Sequence, residues 1–179
     1  MTAKMNRRSV IKCYITVSAG IFLLPSCLQE KRKPSIAIKH IDIGGDEEDM
    51  LAGLSEAIIP KTSTPGAADL SAHLFVLTMV DDCFDPDAQR NFMAGLHEFD
   101  ELAKSRYGRS FVKCSSEHKT TLLKDIESRK AIPENAAAFY DSVKRLTIQS
   151  FTTSQYFLTK VHPYELVPSR FHGCFPVQQ

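Results

Sequence analysis

The stretch DPDAQRNFMAGLHEFDELAKSRYG, residues 85–108, predicts one long helix with a marked beginning and a marked end. Asp85 suits the N-cap, Pro86 suits the first helical position, and Asp87 lies near the positive end of the helix dipole. Gly108 suits the left-handed C-terminal cap. Between these ends, apolar residues recur at three- and four-residue spacing: Phe92, Met93, Leu96, Phe99 and Ala103. Such a helix buries its stripe against other elements.

The remaining segments show the same helical spacing. Apolar residues predict further helices over about 46–58, 67–82, 116–129 and from about 133 onward, and no segment alternates strictly as a half-buried strand does. Asp46 and Ser115 are the expected N-caps of the first and fourth helices. The sequence therefore predicts an all-α fold, a single-domain bundle of about five helices, followed by an extended, proline-punctuated C-terminal tail.

The N-terminus is typical of an export signal. Arg7 and Arg8 precede an uncharged run that begins at Cys13, and the surrounding residues resemble a twin-arginine signal. The run ends in Leu24-Pro25-Ser26-Cys27, which resembles the lipobox of a lipoprotein. We expect residues 1–26 to be a signal peptide, Cys27 to be lipidated, residues 27–45 to be a tether, and residues 46–179 to be the domain.

A membrane-spanning anchor is the alternative interpretation of this N-terminus. The uncharged run from Cys13 to Gln29 has only 17 residues and contains Pro25, whereas a span needs about 20 predominantly apolar residues. Two acyl chains on a cysteine would give stable attachment instead. The expected location is the periplasm, at a membrane surface.

Composition argues against a nucleic-acid partner. Residues 1–26 hold four basic side chains and no acid, so the mature chain keeps 18 basic against 21 acidic side chains and its formal charge changes from +1 to −3.

Three cysteines remain for pairing, namely Cys83, Cys114 and Cys174. An odd count permits one internal bridge with a leftover thiol, a bond to another chain, or three free thiols.

The sequence offers no catalytic, cofactor-binding or metal-binding motif. It has no glycine-rich nucleotide loop, no nucleophile elbow and no His-Glu-x-x-His. Its six histidines form no pair at i, i+4 spacing, and Cys-x-x-Cys-His is absent. The acids Asp81, Asp82, Asp85 and Asp87 lie at helix ends, where capping and the helix dipole are the expected explanation.

Four blocks of residues, in this order and spacing, resemble the gluconate 2-dehydrogenase subunit 3 family over about residues 46–177. The blocks are Leu51-x-x-Leu54-x-Glu56-x-Ile58-Ile59-Pro60-x-Thr62-x-Thr64-Pro65-Gly66-Ala67, Phe92-x-x-Gly95-Leu96, Leu146-Thr147-Ile148-Gln149-Ser150-x-x-Thr153-Ser154 and Val167-Pro168-x-Arg170-Phe171-x-Gly173. The twin-arginine signal is also typical of that family.

The resemblance implies a non-catalytic small subunit of a periplasmic dehydrogenase. Its partner would be a large flavoprotein subunit of the glucose–methanol–choline type, which holds FAD, and a third subunit with haem c often passes the electrons onward. The small subunit itself would hold no cofactor and would carry its partner through the twin-arginine translocase. The alternatives are a stand-alone periplasmic lipoprotein that acts as a binding module, and an enzyme with an unrecognised site.

The C-terminal tail is the predicted interface with the large subunit. It places apolar side chains on a segment too broken for a helix, and Arg170 among aromatic residues has the composition of a binding anchor. Cys174 is a candidate for a disulfide to the partner. The alternative is that the tail packs on its own domain. The predicted interface residues are Tyr164, Val167, Pro168, Arg170, Phe171 and Cys174.

Overall fold

The computed structural model describes residues 32–129 and 132–162. Within these residues the chain forms five α-helices and no strand: α1 Gly45–Ile58, α2 Ala72–Cys83, α3 Pro86–Tyr107, α4 Ser116–Glu127 and α5 Glu134–Thr152. A 3-10 turn, Phe111–Lys113, precedes α4, and a π-helical turn, Phe157–Val161, follows α5. The predicted all-α bundle of about five helices is confirmed. No helix in the described ranges has both the length and the apolar character that crossing a membrane requires.

Helix α3 begins and ends where the sequence predicts. The Asp85 carboxylate accepts a hydrogen bond from the Ala88 N–H at 2.8 Å, and Pro86 is the first helical residue. Gly108 takes a left-handed φ of 69° and donates its N–H to the Lys104 carbonyl at 2.8 Å. Ser115 likewise caps α4, since its hydroxyl accepts from the His118 N–H.

Two helix starts differ from the prediction. Gly44, and not Asp46, is the N-cap of α1, and the Glu47 carboxylate accepts the Gly44 N–H at 3.0 Å. Helix α2 begins at Ala72 because residues 67–71 form a separate turn that ends with Ser71 at a left-handed φ of 56°. Apolar spacing alone does not show such a turn, since it continues the helical pattern.

Helix α5 lies at the centre and contacts each of the other four helices. An aromatic cluster fills the space between α3, α5 and the 3-10 turn: the Phe92 and Phe139 rings lie 4.9 Å apart, and the Phe99 and Phe111 rings also lie 4.9 Å apart. Gly95 allows α3 and α5 to approach closely, because a Cβ there would lie 2.6 Å from the Phe139 Cβ. The crossing of α3 over α5 therefore depends on a residue without a side chain.

Residues 32–44, which the sequence assigns to the tether, lie on the domain and are called the N-terminal strap below. Ile41 and Ile43 are buried in the core, and Ile36 and Ile38 pack against it. The tether prediction therefore does not hold for this part of the chain. The physical reason is that four isoleucines cover core surface that would otherwise face water.

Asp81 holds the strap, and this role differs from the capping or helix-dipole role that the sequence predicts. It lies near the C-terminal end of α2, where neither N-capping nor the helix dipole favours a carboxylate. Its side chain is buried and accepts three backbone N–H groups of the strap, from Lys39 at 2.9 Å, His40 at 2.7 Å and Ile41 at 3.1 Å. Burial acts to raise the pKa of Asp81, but these three donors outweigh burial and hold it below its usual value.

Candidate partner-binding surface

The residues predicted for export, anchoring and partner binding lie outside the residues that the structure describes. This is true of Arg7, Arg8 and Cys27 at the N-terminus. It is also true of the predicted tail, with Tyr164, Val167, Pro168, Arg170, Phe171 and Cys174. Of the cysteines that the structure describes, Cys83 is exposed, Cys114 is buried, and both thiols are free. These two cysteines are therefore not bonded to each other.

An apolar surface lies directly before the predicted tail. We call it the C-terminal apolar surface and define it as Ile148, Phe151, Phe157, Leu158 and Val161. Ile148 is 42% exposed and Val161 is 52% exposed, values that are unusual for large apolar side chains. The other three side chains are half-buried, and none of the five belongs to the core of the described residues. An exposed apolar area of this kind indicates an interaction site.

Local hydrogen bonds around Ser154 build this surface. The Ser154 hydroxyl donates to the Phe151 carbonyl at 2.7 Å and accepts the Phe157 N–H at 3.2 Å. This links the end of α5 to the π-helical turn, and it sets the Phe151 and Phe157 rings edge to face with centroids 6.0 Å apart. The surface is therefore an ordered shape in which two rings are fixed by one serine.

The connection from α1 to α2 is a second ordered feature. The Glu56 carboxylate accepts the backbone N–H of Lys61 at 2.7 Å and that of Ala68 at 3.3 Å. Gly66 packs against the same carboxylate, since a Cβ there would lie 2.5 Å from Oε2 of Glu56 and 2.7 Å from the Lys61 nitrogen. These contacts close the loop and leave Thr62 and Thr64 exposed. Glu56 and Gly66 thus have structural roles in shaping the loop.

A groove of about 350 Å³ lies between α3 and α5. Its apolar lining includes Phe84, Phe92 and Phe139, and its polar lining includes Asn91 and Asn135. Glu134 is its one titratable side chain. The groove can accept an apolar side chain, but its lining provides no pair of acid and base for proton transfer.

Among the described residues, His40, Asp81 and Asp82 form a group with metal-ligand spacing, since their ligand atoms lie within 4.8 Å of one another. Both Asp81 oxygens already accept backbone N–H groups of the strap. The His40 Nδ1 lies 2.9 Å from the Asp81 carbonyl oxygen, which can only accept, so Nδ1 carries the proton. The hydrogen bonds of His40 and Asp81 therefore fit a structural role in holding the strap.

Comparison with known proteins identifies a family. The family model described as gluconate 2-dehydrogenase subunit 3 matches residues 45–168. No curated protein and no solved structure matches the chain. The matched range begins at the first residue of α1 and includes all five helices together with the C-terminal apolar surface.

Proposed function

The chain belongs to the gluconate 2-dehydrogenase subunit 3 family, and from this premise we propose that it is the non-catalytic small subunit of a membrane-associated, periplasmic, FAD-dependent dehydrogenase complex. The family is an accessory subunit of a dehydrogenase complex. The partner in our proposal is a flavoprotein of the glucose–methanol–choline type that oxidises a sugar or an alcohol. FAD belongs to that large subunit, and haem c belongs to a third subunit where one is present. The family match is the observation that carries this proposal.

The C-terminal apolar surface supports the position of the interface. A subunit without a reaction of its own acts through what it binds, and large exposed apolar side chains beside fixed aromatic rings suit a partner surface. The surface ends at Val161, next to the predicted interface tail. We therefore propose one continuous interface that consists of this surface and the tail through Cys174.

The N-terminal segment supports roles in export and anchoring. FAD must be inserted where it is available, so the flavoprotein folds before it crosses the membrane. A single twin-arginine signal, with Arg7 and Arg8, then serves two docked chains through the twin-arginine translocase. Cys27, once lipidated, holds the exported complex at the membrane.

The experiment that tests the proposal is purification of the complex from detergent-solubilised membranes. An affinity tag inserted after Ser128, in the connection between α4 and α5, leaves both termini unmodified. We expect a yellow partner to be retained, with FAD in its absorption spectrum and a flavoprotein sequence by mass spectrometry. A chain that emerges without a flavoprotein would instead support a stand-alone binding module.

A pair of variants locates the interface on this chain. We expect Ile148→Asp to reduce retention of the flavoprotein at least tenfold, because it places a charge in the middle of an apolar contact; this is about 1.4 kcal/mol or more of binding free energy. Val112→Asp is the matched control, since Val112 is similarly exposed, at 39% against 42%, but lies in the 3-10 turn. Equal retention by the two variants would show that the C-terminal apolar surface is not the interface.

A further inference from the structure

Arg32, the first described residue, is held against the domain. The Arg32 carbonyl accepts the Gly45 N–H at 2.5 Å. Its guanidinium donates to the Gly45 carbonyl and to the Asp49 carboxylate, at the N-terminal end of α1. The strap is therefore attached to the domain at residue 32.

Further contacts hold the strap along its length. The Glu48 carboxylate accepts the Ser35 N–H at 2.6 Å and also accepts the Ser35 hydroxyl. Asp81 holds the backbone of residues 39–41, and Ile41 and Ile43 are buried beyond it. Fully exposing one buried isoleucine costs about 1.5–3 kcal/mol. Release of the strap would expose two of them and break the hydrogen bonds as well, so the strap stays on the domain.

The attached strap limits how far the domain can lie from Cys27. Four residues, 28–31, separate Cys27 from Arg32. A fully extended chain spans at most about 3.3–3.6 Å per residue, so the five residue steps from Cys27 to Arg32 span at most about 18 Å. A free tether from Cys27 to Gly45 would reach about 60 Å by the same rule.

We infer that the N-terminal end of α1, with the start of the strap, is held against the phospholipid headgroups of the bilayer that receives the Cys27 lipid. This inference rests on the lipid anchor of the proposed function. The membrane-facing surface is defined by Arg32, Lys33, Asp46 and Asp49, which are all exposed. The ion pair between Arg32 and Asp49 cancels one charge of each sign on this surface. A dehydrogenase bound to this chain is thereby kept close to the membrane.

Energy transfer to labelled lipids tests the inference. The full chain is expressed with its own signal, purified in detergent and reconstituted into phosphatidylethanolamine–phosphatidylglycerol vesicles with a headgroup acceptor dye. The donor dye is placed on Asp46→Cys, in a Cys83→Ser, Cys174→Ser background, where Cys114 is buried. A twelve-residue Gly-Ser insertion after Lys31 lengthens the connection, and the same insertion after Ser128 is the matched control.

A flexible Gly-Ser linker has a mean end-to-end span of about 5–6 Å times the square root of its length, so the twelve inserted residues have a mean span of about 19 Å. With a donor–acceptor dye pair whose Förster radius is close to this span, we expect the insertion after Lys31 to lower the transfer efficiency at least twofold and the insertion after Ser128 to leave it unchanged. Equal transfer with and without the insertion after Lys31, in chains that are bound to vesicles, would overturn this inference alone. An unmodified Cys27 in a chain that fails to bind vesicles would overturn the lipid anchor and this inference together.

Discussion

Replacement of Asp81 by asparagine is expected to loosen the N-terminal strap and lower the stability of the whole domain. The asparagine oxygen can still accept from His40 and Ile41, which share one carboxylate oxygen in the native chain. The amide nitrogen would then face the Lys39 N–H, which now donates to the other oxygen at 2.9 Å. One hydrogen bond is lost, and two donors meet in a buried place.

The size of this effect follows from two opposing contributions. A hydrogen bond to a charged group contributes about 1.5–3 kcal/mol. Removing a negative charge near the C-terminal end of α2 stabilises the fold by only about 0.3–1 kcal/mol, because that charge interacts unfavourably with the helix dipole. The net loss is therefore about 2 kcal/mol, which corresponds to a fall in Tm of about 6 °C at about 2–4 °C per kcal/mol. Thermal unfolding of the full chain, followed by far-UV circular dichroism, measures it.

The control is Asp82→Asn, one residue further along the same helix end and exposed. It should change the stability by less than about 0.5 kcal/mol, as surface substitutions usually do. If Asp81→Asn and Asp82→Asn unfold at the same temperature, the hydrogen bonds from Asp81 to the strap do not stabilise the domain.

The stability difference between the native chain and Asp81→Asn should also depend on pH. The pKa of Asp81 is held below its usual value by the Lys39, His40 and Ile41 N–H groups. A carboxyl with a depressed folded-state pKa stabilises the fold above its unfolded-state pKa of about 4, and this stabilisation is lost as the pH falls through the folded-state value. The difference in unfolding free energy between the native chain and Asp81→Asn should therefore have its full value above about pH 5 and should decrease in more acidic solution. His40 and Asp82, which also face this carboxylate, are present in both chains and cancel to first order.

Three further outcomes are expected. Gly95→Ala should destabilise the domain by about 1–3 kcal/mol through a clash with α5. The control is Gly53→Ala, where the nearest atom to the new Cβ is 3.9 Å away, and it should be neutral or stabilising by about 0.5–1 kcal/mol. A similar Tm for the two variants would contradict the close crossing of α3 and α5. Replacing Arg7 and Arg8 by lysine should leave both this chain and its flavoprotein in the cytoplasm, and unchanged periplasmic dehydrogenase activity would refute carriage of the partner. Deleting residues 164–179 should weaken the complex but keep the helical circular dichroism; loss of helix on deletion would show that the tail covers the domain instead.

The sequence predicts the helices better than it predicts the strap, and the reason is the range of the interactions. Caps act within one turn, so Asp85 and Gly108 can be interpreted correctly from their neighbours alone. The strap is held by Asp81, about 40 residues further along the chain, and no local pattern connects the two. One local signal exists: Ile36 and Ile38, and then Ile41 and Ile43, have the two-residue spacing that places side chains on one side of an extended segment. Helical spacing, which identifies the five helices, does not detect this pattern.

The blocks that carry the family resemblance have two different physical roles. Gly66 and Gly95 permit close backbone approaches, and Thr147 is buried with its hydroxyl 3.3 Å from that of Ser55. Such residues determine the packing, so they identify the fold without identifying what it binds. Ile148 follows Thr147 in the same block yet is exposed, and packing does not account for a large apolar side chain in water.

This contrast separates two explanations of the third block. If the block served the fold alone, Ile148→Asp would lower Tm or leave it unchanged, and the chain that stays folded would bind the flavoprotein as before. If the block also serves a partner, Ile148→Asp should leave Tm nearly unchanged, since the side chain is already in water, and should still remove the flavoprotein. Measuring both quantities on one variant therefore distinguishes a residue that maintains the bundle from one that joins the bundle to another chain.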